Sequence, residues 1–252
     1  MLRLYALSCG SLEFDRSLFF PADAQGTKIT TPVSSWLVVH PKGTLVFDTG
    51  ISCEALPDPA GRLGKRIAAL FAIRSRAGED VVSQLATLGL KPDDIRYVVN
   101  SHFHFDHCGC NESFPRAQFL VQRAELALAR AERNRYNAKD WDHPLEYVEI
   151  DGEHDVFGDG TVLLLPTPGH TAGHQSLWIR EGGRQLVLTG DACYTREHLE
   201  KTILPSNTFD ASRMTDSLAM LRGMQDRKGV ELFFGHDAEQ WASIPRAPGP
   251  LL

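Results

Sequence analysis

The chain has 252 residues, 42% hydrophobic and 23% charged, enough to bury a substantial core within one α/β domain. A formal charge of −6 and a pI near 5.9 offer no polyanion-binding surface, so nucleic acid is excluded as the expected partner. There is no apolar run of about eighteen residues to span a membrane, and residues 1–8 are too short an apolar stretch for a secretory signal, so a cytoplasmic protein without a membrane partner is expected. Five cysteines, Cys9, Cys53, Cys108, Cys110 and Cys193, show no C-x-x-C spacing, and reduced thiols are the default.

Strands are predicted over residues 2–8, 33–40, 44–47 and 96–100. Residues 59–77 repeat Leu63, Ile67, Leu70 and Phe71 at helical spacing against basic Arg62, Lys65, Arg66, Arg74 and Arg76, the pattern of an amphipathic helix packed on its own domain. A lid over a pocket or a homodimer contact is the other use such a helix could serve. Residues 80–88 carry Val81, Val82, Leu85 and Leu88 on one helical face and stop near Gly89. A second set of strands is expected from 118–121 onward, with helices over 123–133 and 210–228, the last carrying Met214, Leu218 and Leu221 on one face. Periodicity alone supports a mixed α and β domain.

The strand at 96–100 feeds Ser101-His102-Phe103-His104-Phe105-Asp106-His107. Side chains two apart on extended backbone share a face, so His102 and His104 can grip one metal ion. Where the chain turns, Asp106 and His107 can reach a second. Later strands repeat the arrangement: 161–165 runs into Thr167-Pro168-Gly169-His170, 185–189 ends at Gly190-Asp191, and 231–234 ends at Gly235-His236-Asp237. Each of these candidate ligands sits at a strand exit beside a glycine, which is how a rigid sheet aims several loops at one point.

The series S-H-x-H-x-D-H, T-P-G-H, G-D-A-x-Y and F-F-G-H-D resembles the metallo-β-lactamase superfamily, and within it the N-acyl-homoserine-lactone lactonases and their close lactonase relatives. The likeness runs from strand 33–40, ahead of Asp48-Thr49-Gly50, to His236-Asp237. It implies a four-layer αββα sandwich, with residues 1–252 forming a single hydrolase domain. It further implies that His102, His104 and His170 hold one divalent metal, that Asp106, His107 and His236 hold the other, and that Asp191 bridges them. Zinc is the expected metal, and the all-N/O donors also suit manganese, iron or cobalt. A Glu at 104 would indicate the diiron oxygen-reducing branch and a later Cys ligand the β-lactamases proper; neither is present. The 16 residues after His236 have no room for the helical domain of glyoxalase-II-like thioesterases, nor do 252 residues for the insertion of the nuclease branch.

Zinc lowers the pKa of bound water from about 15.7 to about 7, and paired ions about 3.5–4 Å apart orient substrate and nucleophile together, which suits attack on a lactone carbonyl. The expected substrate is a small-molecule N-acyl-homoserine lactone. The alternatives are pyridoxolactone, whose hydrolases the 101–111 motif also resembles, or another ester, thioester or phosphodiester; a non-catalytic metal-binding module is the remaining class. Tyr194 matches a tyrosine that assists carbonyl binding in the resembling lactonases, and Asp106 is expected to pass on the proton released by the attacking water. Cys108 and Cys110 stay outside the ligand set because His and Asp complete both sites. His174 and Asp48 are candidates to orient ligands, while His40, His143, His154 and His198 take surface or structural roles by default. Leu18, Phe19, Phe20 and Phe71 are candidates for an apolar wall against an acyl chain.

Overall fold

The computed structural model describes residues 1–132, 135–227 and 229–252. Its strands are β1 (Arg3–Asp15), β2 (Lys28–His40), β3 (Gly43–Phe47), β4 (Ala72–Arg74), β5 (Tyr97–Val99), β6 (Gln118–Gln122), β7 (Glu146–Ile150), β8 (His154–Asp155), β9 (Val162–Pro166), β10 (Gln175–Glu181), β11 (Arg184–Leu188) and β12 (Val230–Phe233). The helices are α1 (Pro59–Leu63), α2 (Lys65–Leu70), α3 (Val81–Thr87), α4 (Phe105–Cys108), α5 (Arg123–Ala131), α6 (Ala138–Trp141), α7 (Arg196–Lys201), α8 (Ala211–Gln225) and α9 (Ala238–Ser243). The strands form two sheets, ordered β4-β1-β2-β3-β5-β6-β7 and β12-β11-β10-β9-β8.

Alternation along β1 shows why two layers of apolar side chains are needed on either side of the first sheet. Leu4 and Ala6 point into one core and Tyr5 and Leu7 into another. The first core lies between the sheets, where Val38, Leu45 and Val99 meet Leu164, Ile179 and Leu188. Outside the first sheet, Leu37, Val46 and Val98 pack with Val81 and Leu85 of α3. Outside the second, Leu165, Val187 and Leu232 pack with Leu218, Leu221 and Met224 of α8. The result is the helix–sheet–sheet–helix order of an αββα sandwich.

Several boundaries differ from the sequence reading. β1 continues past residue 8 to Asp15 because its register shifts between Ser8 and Ser11, where Gly10 adopts φ +87°. β6 does not open the second sheet: it pairs in parallel with β5, and β7 follows it, so the second sheet starts only at β8. Residues 59–77 are not one helix. Gly64, at φ +84°, separates α1 from α2, and Ala72–Arg74 leaves the helical path to pair with Ser11–Glu13 of β1. The predicted helix ends at Arg133 and Lys228 lie outside the described residues. Among those described, no helix is long and apolar enough to cross a membrane.

Candidate metal centre

Every sequence-predicted ligand emerges from the end of a strand toward one point. His102 and His104 follow β5, with Asp106 and His107 on α4 immediately after. His170 follows β9, Asp191 follows β11 and His236 follows β12. The turn that presents His170 requires glycine: Gly169 sits at φ +131°, and a Cβ there would run into the backbone of Met214. That close approach is stitched by the amides of Phe209 and Asp210, which donate to the Gly169 carbonyl at 3.0 and 2.9 Å just ahead of α8.

Two groups of donor atoms result, His102, His104, His170 and Asp191 in one and Asp106, His107 and His236 in the other, each within 4.8 Å among themselves. In the first, His170 Nε2 lies 3.2 Å from His102 Nε2 and 2.9 Å from His104 Nδ1, and the last two are 2.9 Å apart. Asp191 joins the groups with one oxygen each. Its Oδ2 is 3.2 Å from His170 Nε2 and 3.7 Å from His102 Nε2, while its Oδ1 is 3.2 Å from His107 Nε2 and 3.1 Å from His236 Nε2. Asp106 Oδ2 stands 3.6 and 3.7 Å from His107 Nε2 and His236 Nε2.

The outward nitrogens decide what the inward ones present. Asp48 Oδ2 accepts from His107 Nδ1 at 2.8 Å and from the Ser101 hydroxyl at 2.8 Å, which leaves Ser101 Oγ to accept from His102 Nδ1 at 3.0 Å. His236 Nδ1 donates to the Pro32 carbonyl at 2.9 Å. The Tyr194 hydroxyl donates to Asn207 Oδ1 at 3.0 Å and so takes His170 Nδ1, 3.4 Å away, as its donor. Four imidazoles therefore keep a proton on the outward Nδ1 and turn Nε2 inward, bare wherever the ring is neutral. Neutral rings whose buried lone pairs converge repel, and among the described residues neither His107 Nε2 nor Asp191 Oδ1, 3.2 Å apart, makes a hydrogen bond of good geometry. A shared cation relieves both problems, so the residues fit divalent metal.

Electrostatics divide the cluster. Burial opposes protonation of every ring, but Asp191 and Asp106 outweigh it at His107 and His236 and lift both above the usual histidine range, so a metal ion there takes the place of a proton. Burial, reinforced by the neighbouring imidazoles, holds His102 well below the usual histidine range, and burial does the same to His170 against the pull of Asp191. Both are neutral, the form that ligates. Burial opposes ionisation of Asp191, but the positive charge on His107 and His236 outweighs it and keeps the carboxylate charged. Burial, with Asp191 nearby, pushes the Tyr194 phenol well above its ordinary range, so it keeps its proton.

The remaining sequence candidates separate cleanly. His174, fully buried, accepts the Asp191 backbone N–H on Nε2 at 2.9 Å and donates from Nδ1 to Thr167 Oγ1 at 2.8 Å, fixing the Asp191 turn. Cys108 and Cys110 turn away and bond the His104 and Ile51 carbonyls. His198 is buried, with Nε2 on the Phe19 carbonyl at 2.9 Å. A cavity of about 170 Å³ opens over the cluster, floored by His104, Asp106, Asp191 and His236 and walled by Leu12, Phe14, Leu18, Phe19, Ile67, Leu70, Phe71 and Phe105. Phe20 is not in this wall; it packs against His198 at 4.5 Å beneath Arg16. Two site residues escaped the sequence reading. Asn207 lines the cavity beside Tyr194, and buried Glu125 accepts the amides of Phe103 at 3.2 Å and Gly173 at 2.9 Å, tying two ligand loops together. Neither sits in a spacing that marks it.

An αββα sandwich with a histidine and aspartate cluster at its strand exits defines a metal-binding hydrolase fold, and residues 29–236 match the metallo-β-lactamase superfamily, to which this chain belongs. Among similar proteins is an N-acyl homoserine lactonase, AttM, of Azorhizobium caulinodans, 36% identical and aligned over 98% of each chain. The N-acyl homoserine lactonase AiiA of Bacillus thuringiensis subsp. kurstaki is 33% identical over 94% of each. A solved N-acyl homoserine lactone hydrolase with the product N-hexanoyl-L-homoserine bound at its catalytic metal centre superposes with a TM-score of 0.90, 31% identity and 98% coverage of each chain.

Proposed function

We propose that this chain is a dinuclear metal-dependent hydrolase that opens the ring of N-acyl-homoserine lactones, a quorum-quenching activity. The observation that carries the reading is Asp191, whose two oxygens face two different histidine groups at the floor of a cavity with an apolar wall. His102, His104 and His170 are assigned to one ion, Asp106, His107 and His236 to the other, with Asp191 shared. The all-nitrogen-and-oxygen donor set suits zinc. Bound there, the ions supply hydroxide near neutral pH and polarise an ester carbonyl.

The chain's own groups position the substrate and manage protons. Leu18, Phe19, Ile67 and Phe71 take the acyl chain out of water. Asp106, at the cavity floor, receives the proton of the attacking water and returns it to the departing ring oxygen. The Tyr194 O–H, held by Asn207 in the free protein, turns to the substrate oxygen as negative charge grows there, an interaction stronger in the transition state than in the ground state. Residues 1–252 act as one domain: the amides of Ala247 and Leu251 bond the β1 carbonyls of Ala6 and Leu4 at 2.9 and 2.8 Å. The unpaired cysteines, four of them buried, favour a reducing cytoplasm.

The likeness to lactonases over nearly the whole chain supports the substrate class. The test is a panel of N-acyl-homoserine lactones, simple lactones, esters and thioesters offered to metal-reconstituted protein, with acid release followed by a pH indicator. Preferred turnover of the acyl-homoserine lactones is expected. Faster turnover of another class would reassign the substrate, and no turnover would leave a binding module.

A further inference from the structure

We infer that Asn207 is a substrate-binding residue that reads the acyl-amide carbonyl next to the lactone ring, an inference that rests on the lactonase reading above. Its Oδ1 accepts the Tyr194 hydroxyl at 3.0 Å. Its Nδ2 hydrogens have no protein partner among the described residues, and the side chain lines the cavity. Tyr194 lies directly over the ligands, its ring centroid 5.4 Å from that of His236 and 5.7 Å from that of His170. Asn207 stands one hydrogen bond farther out. The cavity thus combines a charged floor, a polar amide beside Tyr194 and a mainly hydrocarbon wall that Arg66, Arg135 and Ser206 interrupt. An N-acyl-homoserine lactone has the same three parts, an ester ring, an amide and an alkyl chain.

The loop that carries Asn207 is fixed at both sides. The Ser206 amide and hydroxyl donate to the Leu18 carbonyl at 3.0 and 2.9 Å, and the Phe209 amide donates to the Gly169 carbonyl at 3.0 Å. A carboxamide held this way recognises an acceptor without first ordering its own loop. Because one end grips Tyr194 and the other the substrate amide, Asn207 couples recognition of the acyl group to the placement of the phenol. Asn207 spends only its oxygen on the fold, through Tyr194, and its amide hydrogens stay without a partner among the described residues in a cavity that Arg66, Arg135 and Ser206 also line.

The test compares kcat/KM for N-hexanoyl-L-homoserine lactone with that for γ-decalactone, which has an alkyl chain and no amide, in wild type, Asn207→Ala and Asn207→Asp. Aspartate keeps the acceptor for Tyr194 but loses the donor. The ratio of the two kcat/KM values falls about tenfold in both variants, the worth of one neutral hydrogen bond. An unchanged ratio, or a fall in the alanine variant alone, overturns the inference and leaves Asn207 as a support for Tyr194. If wild type turns over neither lactone, the lactonase reading fails separately. Calorimetric binding of the ring-opened N-hexanoyl-L-homoserine then decides: tenfold weaker binding in both variants sustains a role for Asn207, and equal binding ends it.

Discussion

Asp48→Asn changes one acceptor into a donor and little else. Asp48 sits at φ +59°, a left-handed conformation that asparagine also tolerates. The retained oxygen can still accept the Ser101 amide at 2.6 Å. The new amide nitrogen, however, faces His107 Nδ1 across 2.8 Å, where two donors cannot bond. His107 answers by moving its proton to Nε2, the atom turned toward Asp191 and His236. The charge-assisted bond lost is worth about 1.5–3 kcal/mol, so affinity for the ion held by Asp106, His107 and His236 falls roughly tenfold to a hundredfold. An ion on His102, His104 and His170 is affected less, because Asp48 reaches that group only through the Ser101 hydroxyl beside His102 Nδ1. Burial lifts the Asp48 carboxyl above its usual range despite His107 and Ser101, so a neutral side chain costs the metal-free fold little. Elemental analysis after dialysis against graded chelator should find two equivalents in wild type and nearer one in the variant, with thermal midpoints of the metal-free forms within a few degrees. Two equivalents at wild-type affinity would refute the proton argument, and loss of the fold itself would show Asp48 to be structural first.

Tyr194→Phe lowers kcat roughly a hundredfold to a thousandfold at equal metal content, the range for losing one donor to developing charge; stopped-time acid release measures it, and unchanged kcat removes the phenol from catalysis. Asp106→Asn loses activity beyond its loss of metal, so a variant as active as wild type at full occupancy eliminates the proton shuttle. Phe71→Ala lowers kcat/KM for an N-decanoyl lactone several-fold more than for an N-butanoyl one, since each buried methylene is worth about 0.8 kcal/mol; equal losses would move the acyl chain to another wall. Asp140→Asn tests a buried pair away from the cluster. Arg62 lies 2.6 Å from Asp140, yet burial still lifts the carboxyl to about 6. The fold therefore binds that proton more tightly than the unfolded chain, whose aspartates titrate near about 3.9. Its stabilising contribution is complete below about pH 4 and lost as pH rises through about 6. The variant lacks this decline, so its unfolding free energy relative to wild type rises by about 3 kcal/mol between those pH values and is flat above 7. A difference that stays level across the window in denaturant melts contradicts the assignment.

The residues legible in the sequence are those whose spacing is itself the signal. His102 and His104 alternate on an extended backbone, and each later ligand follows a strand beside a glycine, so convergence could be argued from local rules alone. The strands of the αββα sandwich were legible where alternation is regular. They were misjudged where it is interrupted: Gly10 carries β1 through a bulge, and Gly64 breaks residues 59–77 although the apolar spacing continues across it. The allocation of β6 to the first sheet was not legible either. Its parallel pairing with β5 spans sequence that is not itself in the sheet, and a buried strand reads alike in either layer.

The supports of the cluster were the least visible part, and the reason is chemical. A histidine ligand must present a bare nitrogen, so its opposite ring atom needs an acceptor, and four of the five candidate histidines have one, but any acceptor will serve. Here they are a carboxylate at Asp48, a hydroxyl at Ser101, a phenol at Tyr194 and the backbone carbonyl of Pro32. The Pro32 carbonyl lies on β2, 204 residues from His236 in the chain, and carries no side-chain identity to detect. The motif therefore specifies which atoms meet, while the tautomers that let them bind metal depend on contacts that only the packed sheets create.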